Sequence, residues 1–499
     1  MSSLLGLILP QKTITDNDTA KGLTALVYDG VFFQTMLVLT SGAFLVAFAV
    51  KLGASNLVIG TIAAIGPVCQ LLQIPSIFVV DKFRYRKLIV LICAFLSRIL
   101  WVPLAMLPWF MSPSSAVVVM LILILIMNML GALAGCSWNS WIRNFVPDNV
   151  YGTLFPKRLA YAMGAGAIVS LLAGIGVEKI QIPGLMPTTP YAFCFLLGTI
   201  FGLLGIICIA KIPEPHRETT SMQEKGFFKS IVAPFRDYRY RKLIYFMGMW
   251  NFAINMAAPF FVVYMMVYLS VDIFTIILLS VINQIANFLF FGIWGRLSDR
   301  FSNKSCLAVA GFLFIISIAL WTITEKNFLL IPILVAIHIL AGISTAGVAL
   351  CSNNITLKLA PKEEATAYLA ACSVIAGIAT AIAPILGAFA EIFFKSYEFT
   401  VSVKCVHHNS SFYLDLLDYY GLDFVFLISC VLGIYALSLL SKVKETGEKL
   451  TRDVYPELMI EIGQGLRSIS TVMGLKFLFK PPRNTSVSSD TAVKAPINK

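Results

Sequence analysis

Asn251 and Asn255 stand one helical turn apart in an apolar run, and Ser280, Asn283 and Asn287 form a stripe in the next run with Gln284 beside them. His338, Thr345 and Ser352 repeat every seven residues, again one face of a helix, while Gln34, Ser41, Gln70, Gln73 and Asn128 punctuate earlier apolar segments. An amide or hydroxyl without a partner among hydrocarbon chains is costly, so such residues face a cavity or bond to a neighbouring helix. As a group they supply neutral donors and acceptors, which suit a neutral or zwitterionic polar solute. Two charges join them: Asp29 near the start of the first apolar run and Arg98 near the middle of the third. A structural ion pair between them is the favoured reading. Arg98 as an anchor for an anionic substrate group, and Asp29 or His338 as a proton carrier, are the alternatives.

Other chemistries find little support. The Gly-x-x-x-x-Gly-Lys-Ser/Thr loop that cradles nucleotide phosphates is absent, so no direct ATP hydrolysis is expected. A dozen apolar spans leave no room in 499 residues for a separate soluble enzyme domain, and neither enzyme activity nor a cofactor is expected. Ten cysteines are scattered singly without a Cys-x-x-Cys pair, which indicates neither a zinc site nor a disulfide framework. His407 and His408 beside Cys405 read as a solvated loop rather than a metal site.

Composition explains what must hold these groups. With 58% hydrophobic and 13% charged residues, and a mean hydropathy of +0.84, the chain is an integral membrane protein. Twelve helical spans are expected, at 24–50, 56–80, 87–109, 115–137, 159–178, 190–211, 243–269, 272–295, 305–325, 328–352, 366–394 and 422–441. Loops after even-numbered spans hold 20 Lys and Arg against five after odd-numbered spans, so both termini are expected in the cytoplasm. The same distribution accounts for the net charge of +12 without invoking nucleic acid.

The expected organisation is an N-terminal cytoplasmic segment at 1–23, a six-helix bundle at 24–211, a cytoplasmic connector at 212–242, a second six-helix bundle at 243–441 and a cytoplasmic tail at 442–499. Residues 395–421 form a long external loop. In the tail Leu458, Ile462, Leu466, Ile469 and Met473 recur at helical spacing, which fits an amphipathic helix on the membrane surface or docked on the protein itself.

Two stretches repeat once per half. Gly295, Asp299, Arg300 and Lys304 follow span eight; Asp81, Lys82, Arg86 and Lys87 follow span two, with Ile77 and Arg84 at the positions where glycines would stand. On these loops, the span count and the central connector, the chain resembles the major facilitator superfamily over nearly its whole length. The resemblance implies an all-α integral membrane fold of two pseudo-symmetric six-helix bundles. It also implies that Asp81, Arg86, Lys87, Gly295, Asp299 and Arg300 act as a cytoplasmic latch between the halves. In that family spans one, four, seven and ten line the central cavity, which makes Gln34, Asn128, Asn251, Asn255 and His338 the leading substrate contacts, with Asn283 and Asn287 beside them.

Trp138-Asn139-Ser140-Trp141-Ile142-Arg143-Asn144 is similar to a segment of poorly characterised bacterial members, which usually carry an acid at the place of Asn144. An interfacial aromatic anchor is preferred there over a substrate contact. The expected function is secondary transport of a small polar organic solute by alternating access, as proton-coupled uptake or facilitated diffusion. Export of amphipathic compounds and a receptor or scaffold role are the alternatives. The expected partners are that solute, protons and the bilayer, with no metal and no nucleic acid, for a monomer in a bacterial inner membrane.

Overall fold

A computed structural model describes residues 10–11, 14–73, 76, 85–179, 184, 186–216, 233–361, 364–407, 410–445, 454 and 456–460. Eleven helices are long and apolar enough to cross a membrane, and Asn56–Leu71 is a shorter apolar helix at the place of the expected second span. In chain order these are α1 Asp16–Lys51, α2 Asn56–Leu71, α3 Arg86–Phe110, α4 Pro113–Phe145, α5 Asp148–Lys179, α6 Thr189–Ala210, α7 Tyr238–Tyr268, α8 Ile273–Arg300, α9 Asn303–Ile323, α10 Leu330–Leu359, α11 Ala365–Phe394 and α12 Leu422–Ser441. The all-α expectation has one exception. The segment expected as a loop forms an antiparallel hairpin, β1 Glu398–His407 with β2 Ser410–Tyr420, whose register slips between Val401 and Ser402.

Helix starts differ from the hydropathy-based spans where local capping extends the helix into polar sequence. Thr15 accepts a bond from the Asp18 amide, so α1 begins at Asp16 rather than 24. The fifth helix begins at Asp148 rather than 159 and carries Pro156, Lys157 and Arg158 inside it. That shift moves Arg158 from the expected loop into a membrane helix.

Packing reveals a duplication. In the first half α1 packs on α5 and α6, α4 on α2 and α3, and α3 on α6; in the second half α7 packs on α11 and α12, α10 on α8 and α9, and α9 on α12. Adding six to each helix number converts one set into the other. The contacts between halves obey the same operation, since α2 meets α11 and α5 meets α8. Such an exchange is expected of two bundles related by an axis along the membrane normal.

The halves are joined at the hairpin end, away from the basic loops. A Cβ placed on Gly60 of α2 would lie 2.6 Å from the Pro384 carbonyl oxygen of α11, and one on Gly174 of α5 would lie 2.9 Å from Ile277 of α8. Val263, Ile273 and Ile277 of the second half share an apolar cluster with Leu39, Phe44, Phe48 and Ile59 of the first. Polar contacts accompany them: the last turns of α7 form a π-helix that carries Tyr268, whose hydroxyl bonds to Asn56, and the Glu178 carboxyl meets that of Asp272. At the basic end the first-half cluster of Leu26, Val90, Trp141, Ile142, Phe145, Ile209 and Ile212 contains no second-half residue.

Close approach without a side chain predicts an asymmetric response to added volume. Gly60→Val is expected to destabilise the protein by roughly 1–3 kcal/mol, because the Pro384 backbone cannot yield. Gly164→Val, whose Cβ would meet nothing within 4 Å, serves as the neutral control, with thermal unfolding in detergent as the measurement.

Candidate functional site

Asp29 of α1 is 3% exposed and accepts a hydrogen bond from Arg158 Nη2 of α5 at 3.1 Å. Arg158 also donates from Nε to the Leu26 carbonyl at 3.0 Å, and its guanidinium lies 5.3 Å from the centroid of the Trp138 indole. Arg98 of α3, 5% exposed, donates to the Gly202 carbonyl of α6 and lies 5.9 Å from the Phe33 ring. The expected Asp29–Arg98 pair is therefore a pair between Asp29 and Arg158. Arg98 stands nearby: a Cβ on Gly205 would lie 3.3 Å from Arg98 Nη1 and 3.5 Å from Asp29 Oδ1. That Oδ1 has no hydrogen-bond partner. Gly30, Gly202 and Gly205 make the cluster possible, because a methyl at Gly30 would lie 2.6 Å from Arg158 Nε and one at Gly202 would lie 3.0 Å from Arg98 Cδ. Helical rise places these charges roughly 15–20 Å from the first residues of α1, α3 and α5, but the stretches from Asp29 to Lys51 and from Arg158 to Lys179 are each still about 30 Å long, so the pair sits toward the basic end of the apolar spans.

The amides occupy several separate places. Asn251 donates to the Met247 carbonyl at 2.8 Å, and Asn255 donates to the Asn251 carbonyl at 2.8 Å and to Thr380 of α11 at 3.4 Å. Asn128 donates to the Ile124 carbonyl at 2.8 Å, with its Oδ1 toward Gly66 of α2. Gln34 packs on Gly166 of α5, and Gln73 donates to Gln70. In each asparagine the NH2 is satisfied by its own helix, which leaves the acceptor oxygen for another partner. Asn283 and Asn287 differ, since they tie α8 to α10 through the His338 carbonyl at 3.1 Å and the Thr345 hydroxyl at 2.9 Å. His338 is buried, with Nδ1 2.7 Å from the Leu334 carbonyl and its ring edge-on to Trp321 of α9. Its side chain sits inside the second half, toward α9.

At the basic end each half carries one buried carboxylate that caps a helix. Glu214, 1% exposed and just beyond α6, accepts from the Arg86 amide through Oε1 at 3.2 Å and from the Lys87 amide through Oε2 at 3.1 Å, and Arg86 Nε adds a bond of 3.0 Å. Glu445, just beyond α12, accepts from the Asn303 amide through Oε1 at 3.4 Å and from the Lys304 amide through Oε2 at 2.7 Å, and Lys358 adds a bond of 2.7 Å. The lysines also match: Lys87 donates to the Ile212 carbonyl at 2.8 Å, and Lys304 to that of Ser441 at 3.1 Å. Each carboxylate neutralises the positive end of α3 or α9. The sequence carried a signal for this pair, since Lys211-Ile212-Pro213-Glu214 and Lys442-Val443-Lys444-Glu445 close the two halves in parallel.

The segment expected as an aromatic anchor is internal instead. Trp141 is fully buried and donates to the Pro213 carbonyl at 3.0 Å, which fixes the strand of chain bearing Glu214. Of the latch residues, Arg86 and Lys87 are engaged within their own half, and Asp81 lies outside the described residues. Asp299 is exposed at the end of α8, Gly295 lies one turn earlier, and Arg300 pairs with Glu457 of the tail. Val454 and Leu458 of that tail are buried in the second-half core, so its described part docks on the protein. Ile462, Leu466, Ile469 and Met473 lie outside the described residues, as does His408.

The model of the Major Facilitator Superfamily matches residues 30–384 and 243–483. No curated protein matches the chain in sequence. Among solved structures, a mutant of the nucleoside transporter NupG is similar at a TM-score of 0.66 and 12% identity, covering 86% of this chain and 100% of that one. A D-xylose-proton symporter is similar at 0.63 and 14%, covering 86% and 99%. The inward-open xylose transporter XylE from E. coli is similar at 0.59 and 15%, covering 87% and 99%.

Burial pushes the Glu445 carboxyl up, but bonds from Lys358, the Lys304 amide and Asn303 outweigh it and hold the group below its ordinary value of 4.5. A depressed acid stabilises the fold fully above its unfolded value and loses that contribution as pH falls through the folded one. Glu445→Gln is therefore expected to lower the unfolding temperature at pH 7, by the equivalent of roughly 1.5–3 kcal/mol for a charged hydrogen-bonded group. The gap to wild type is expected to narrow below about pH 4.5, measured by unfolding across a pH series.

Proposed function

The chain belongs to the Major Facilitator Superfamily, and from that premise we propose that it takes up a small polar organic solute by alternating access, coupled to protons. The observation that carries the reading is the reciprocal pair of contacts between halves, α2 with α11 and α5 with α8, closed at the hairpin end. A joint built from two symmetry-equivalent contacts lets the halves rock as rigid bodies, so that closure at one end accompanies opening at the other. The excess of Lys and Arg in the loops at the basic end supports a cytoplasmic position for that end. On that reading, closure at the hairpin end makes this the inward-facing conformation of the proposed cycle. The free acceptor oxygens of Asn128, Asn251 and Asn255 are the candidate hydrogen-bonding groups toward the solute, with Gln34.

Asp29 is the candidate proton site. It is the buried acid of the first half whose second oxygen lacks a partner, and its bonded partner Arg158 is the part of the cluster nearest solvent, with 21% of its side chain exposed. Protonation would remove the attraction that holds α1 to α5. Deprotonation would restore it, which couples proton occupancy to a contact between two helices.

Paired spin labels test the rocking motion: one pair at Tyr151 and Arg296 near the basic end, another at residues 52 and 325 near the hairpin end. Reciprocal distance changes between acid and neutral pH are expected, lengthening at one end as the other shortens. Distances fixed at both ends would defeat the proposal. In a Glu178→Gln background, which removes the Glu178–Asp272 carboxyl pair between halves, Asp29→Asn is expected to abolish the pH dependence of the two populations.

A further inference from the structure

We propose that the solute carries a carboxylate, and that Arg158 on its Trp138 platform is the group that receives it. The inference rests on the transport reading above and deepens it by naming the substrate class. The cluster holds two guanidiniums, Arg98 and Arg158, against one carboxylate, Asp29, and among the described residues Asp29 is the ion-pair partner of Arg158 with Arg98 beside it. Among the described residues, one positive charge of this cluster is therefore without a paired carboxylate, in a largely buried setting where pairing is favoured.

Geometry decides which guanidinium is available. Arg98 is 5% exposed, sealed by the Gly202 carbonyl and the Phe33 ring. Arg158 has 21% of its side chain exposed and uses only Nε and Nη2, on Leu26 and Asp29. Its Nη1 has no bonded partner among the described residues, so the outer edge of the planar fork is open to a carboxylate that would bind with two parallel bonds. Trp138 behind the guanidinium fixes its plane. The size of the imbalance selects the anion: one excess positive charge matches a carboxylate, whereas a phosphate dianion would leave the site negative. Gln34, one and a half turns along α1 from Asp29, offers an amide to a hydroxyl or amino group on the same solute.

The test uses the purified full-length protein in detergent, with thermal unfolding and tryptophan emission as readouts. Lactate and glycolate are compared with their neutral amides, lactamide and glycolamide, and with inorganic phosphate. The acids are expected to raise the unfolding temperature and alter the emission, and the amides and phosphate are not. Because Arg158→Gln alone strands a buried Asp29, the double variant Asp29→Asn with Arg158→Gln keeps the cluster neutral apart from Arg98. It is expected to fold and to bind the acids at least tenfold more weakly, while Arg158→Lys retains part of the response. Equal responses to acid and amide, including none to either, overturn the inference, as does an acid response that survives the double variant. Neutral solutes such as xylose or uridine entering vesicles independently of Arg158 would also overturn it while leaving alternating access intact. Fixed spin-label distances would instead remove the transport reading itself.

Discussion

Inside a hydrocarbon core a polar atom can be satisfied only by another part of the protein, and that requirement organises the polar residues of this chain. The asparagines Asn128, Asn251 and Asn255 turn their NH2 groups back onto carbonyls four residues earlier, which costs no partner helix and leaves an oxygen for other use. Asn283 and Asn287 spend their donors on α10 and so become fasteners within the second half. One residue type thus plays two roles, and the difference is set by which helix lies opposite.

The same requirement explains the helix ends at the basic side. The first amides of α3 and α9 have no intrahelical acceptor, and a carboxylate delivered by the chain leaving α6 or α12 supplies one. This ties the last helix of each half to its third, closing each bundle on itself. With Arg86 and the Lys87 amide bound to Glu214, and Lys358 bound to Glu445, these contacts at the basic end are made within each half.

Much of this organisation was legible in the sequence. Long apolar runs fixed the number and order of helices, and the paired basic loops pointed to duplication. Arg158 was not legible as a buried group, because Pro156-Lys157-Arg158 reads as a loop when hydropathy alone sets the boundary. The helix nevertheless continues through Pro156, its ninth residue, at the cost of one amide donor to the carbonyl four residues earlier and near the polar edge of the apolar span. Nor could sequence show that Trp141 faces Pro213 rather than lipid, because a helix face acquires its meaning only from the neighbour packed on it. The hairpin was hidden for a related reason: Phe399, Val401 and Val403 alternate with polar residues over a stretch too short to stand out beside helices of twenty or more.

Placing the strong charges within the halves has a mechanical consequence. Contacts between halves at the hairpin end are mostly apolar, with small residues such as Gly60 and Gly174 letting backbones meet. Dispersion between close surfaces is lost in small steps as they part, whereas a buried ion pair would impose a single large cost. Apart from the exposed Glu178 and Asp272 carboxyls at its rim, parting such a joint would strand no charge. The buried Asp29–Arg158 contact bridges α1 and α5 of one bundle, so a change in its occupancy alters the shape of that bundle without breaking the joint. In the proposed transport cycle, proton occupancy at the cluster and rocking at the joint would thus rest on different interactions, linked through the helix α5 that takes part in both.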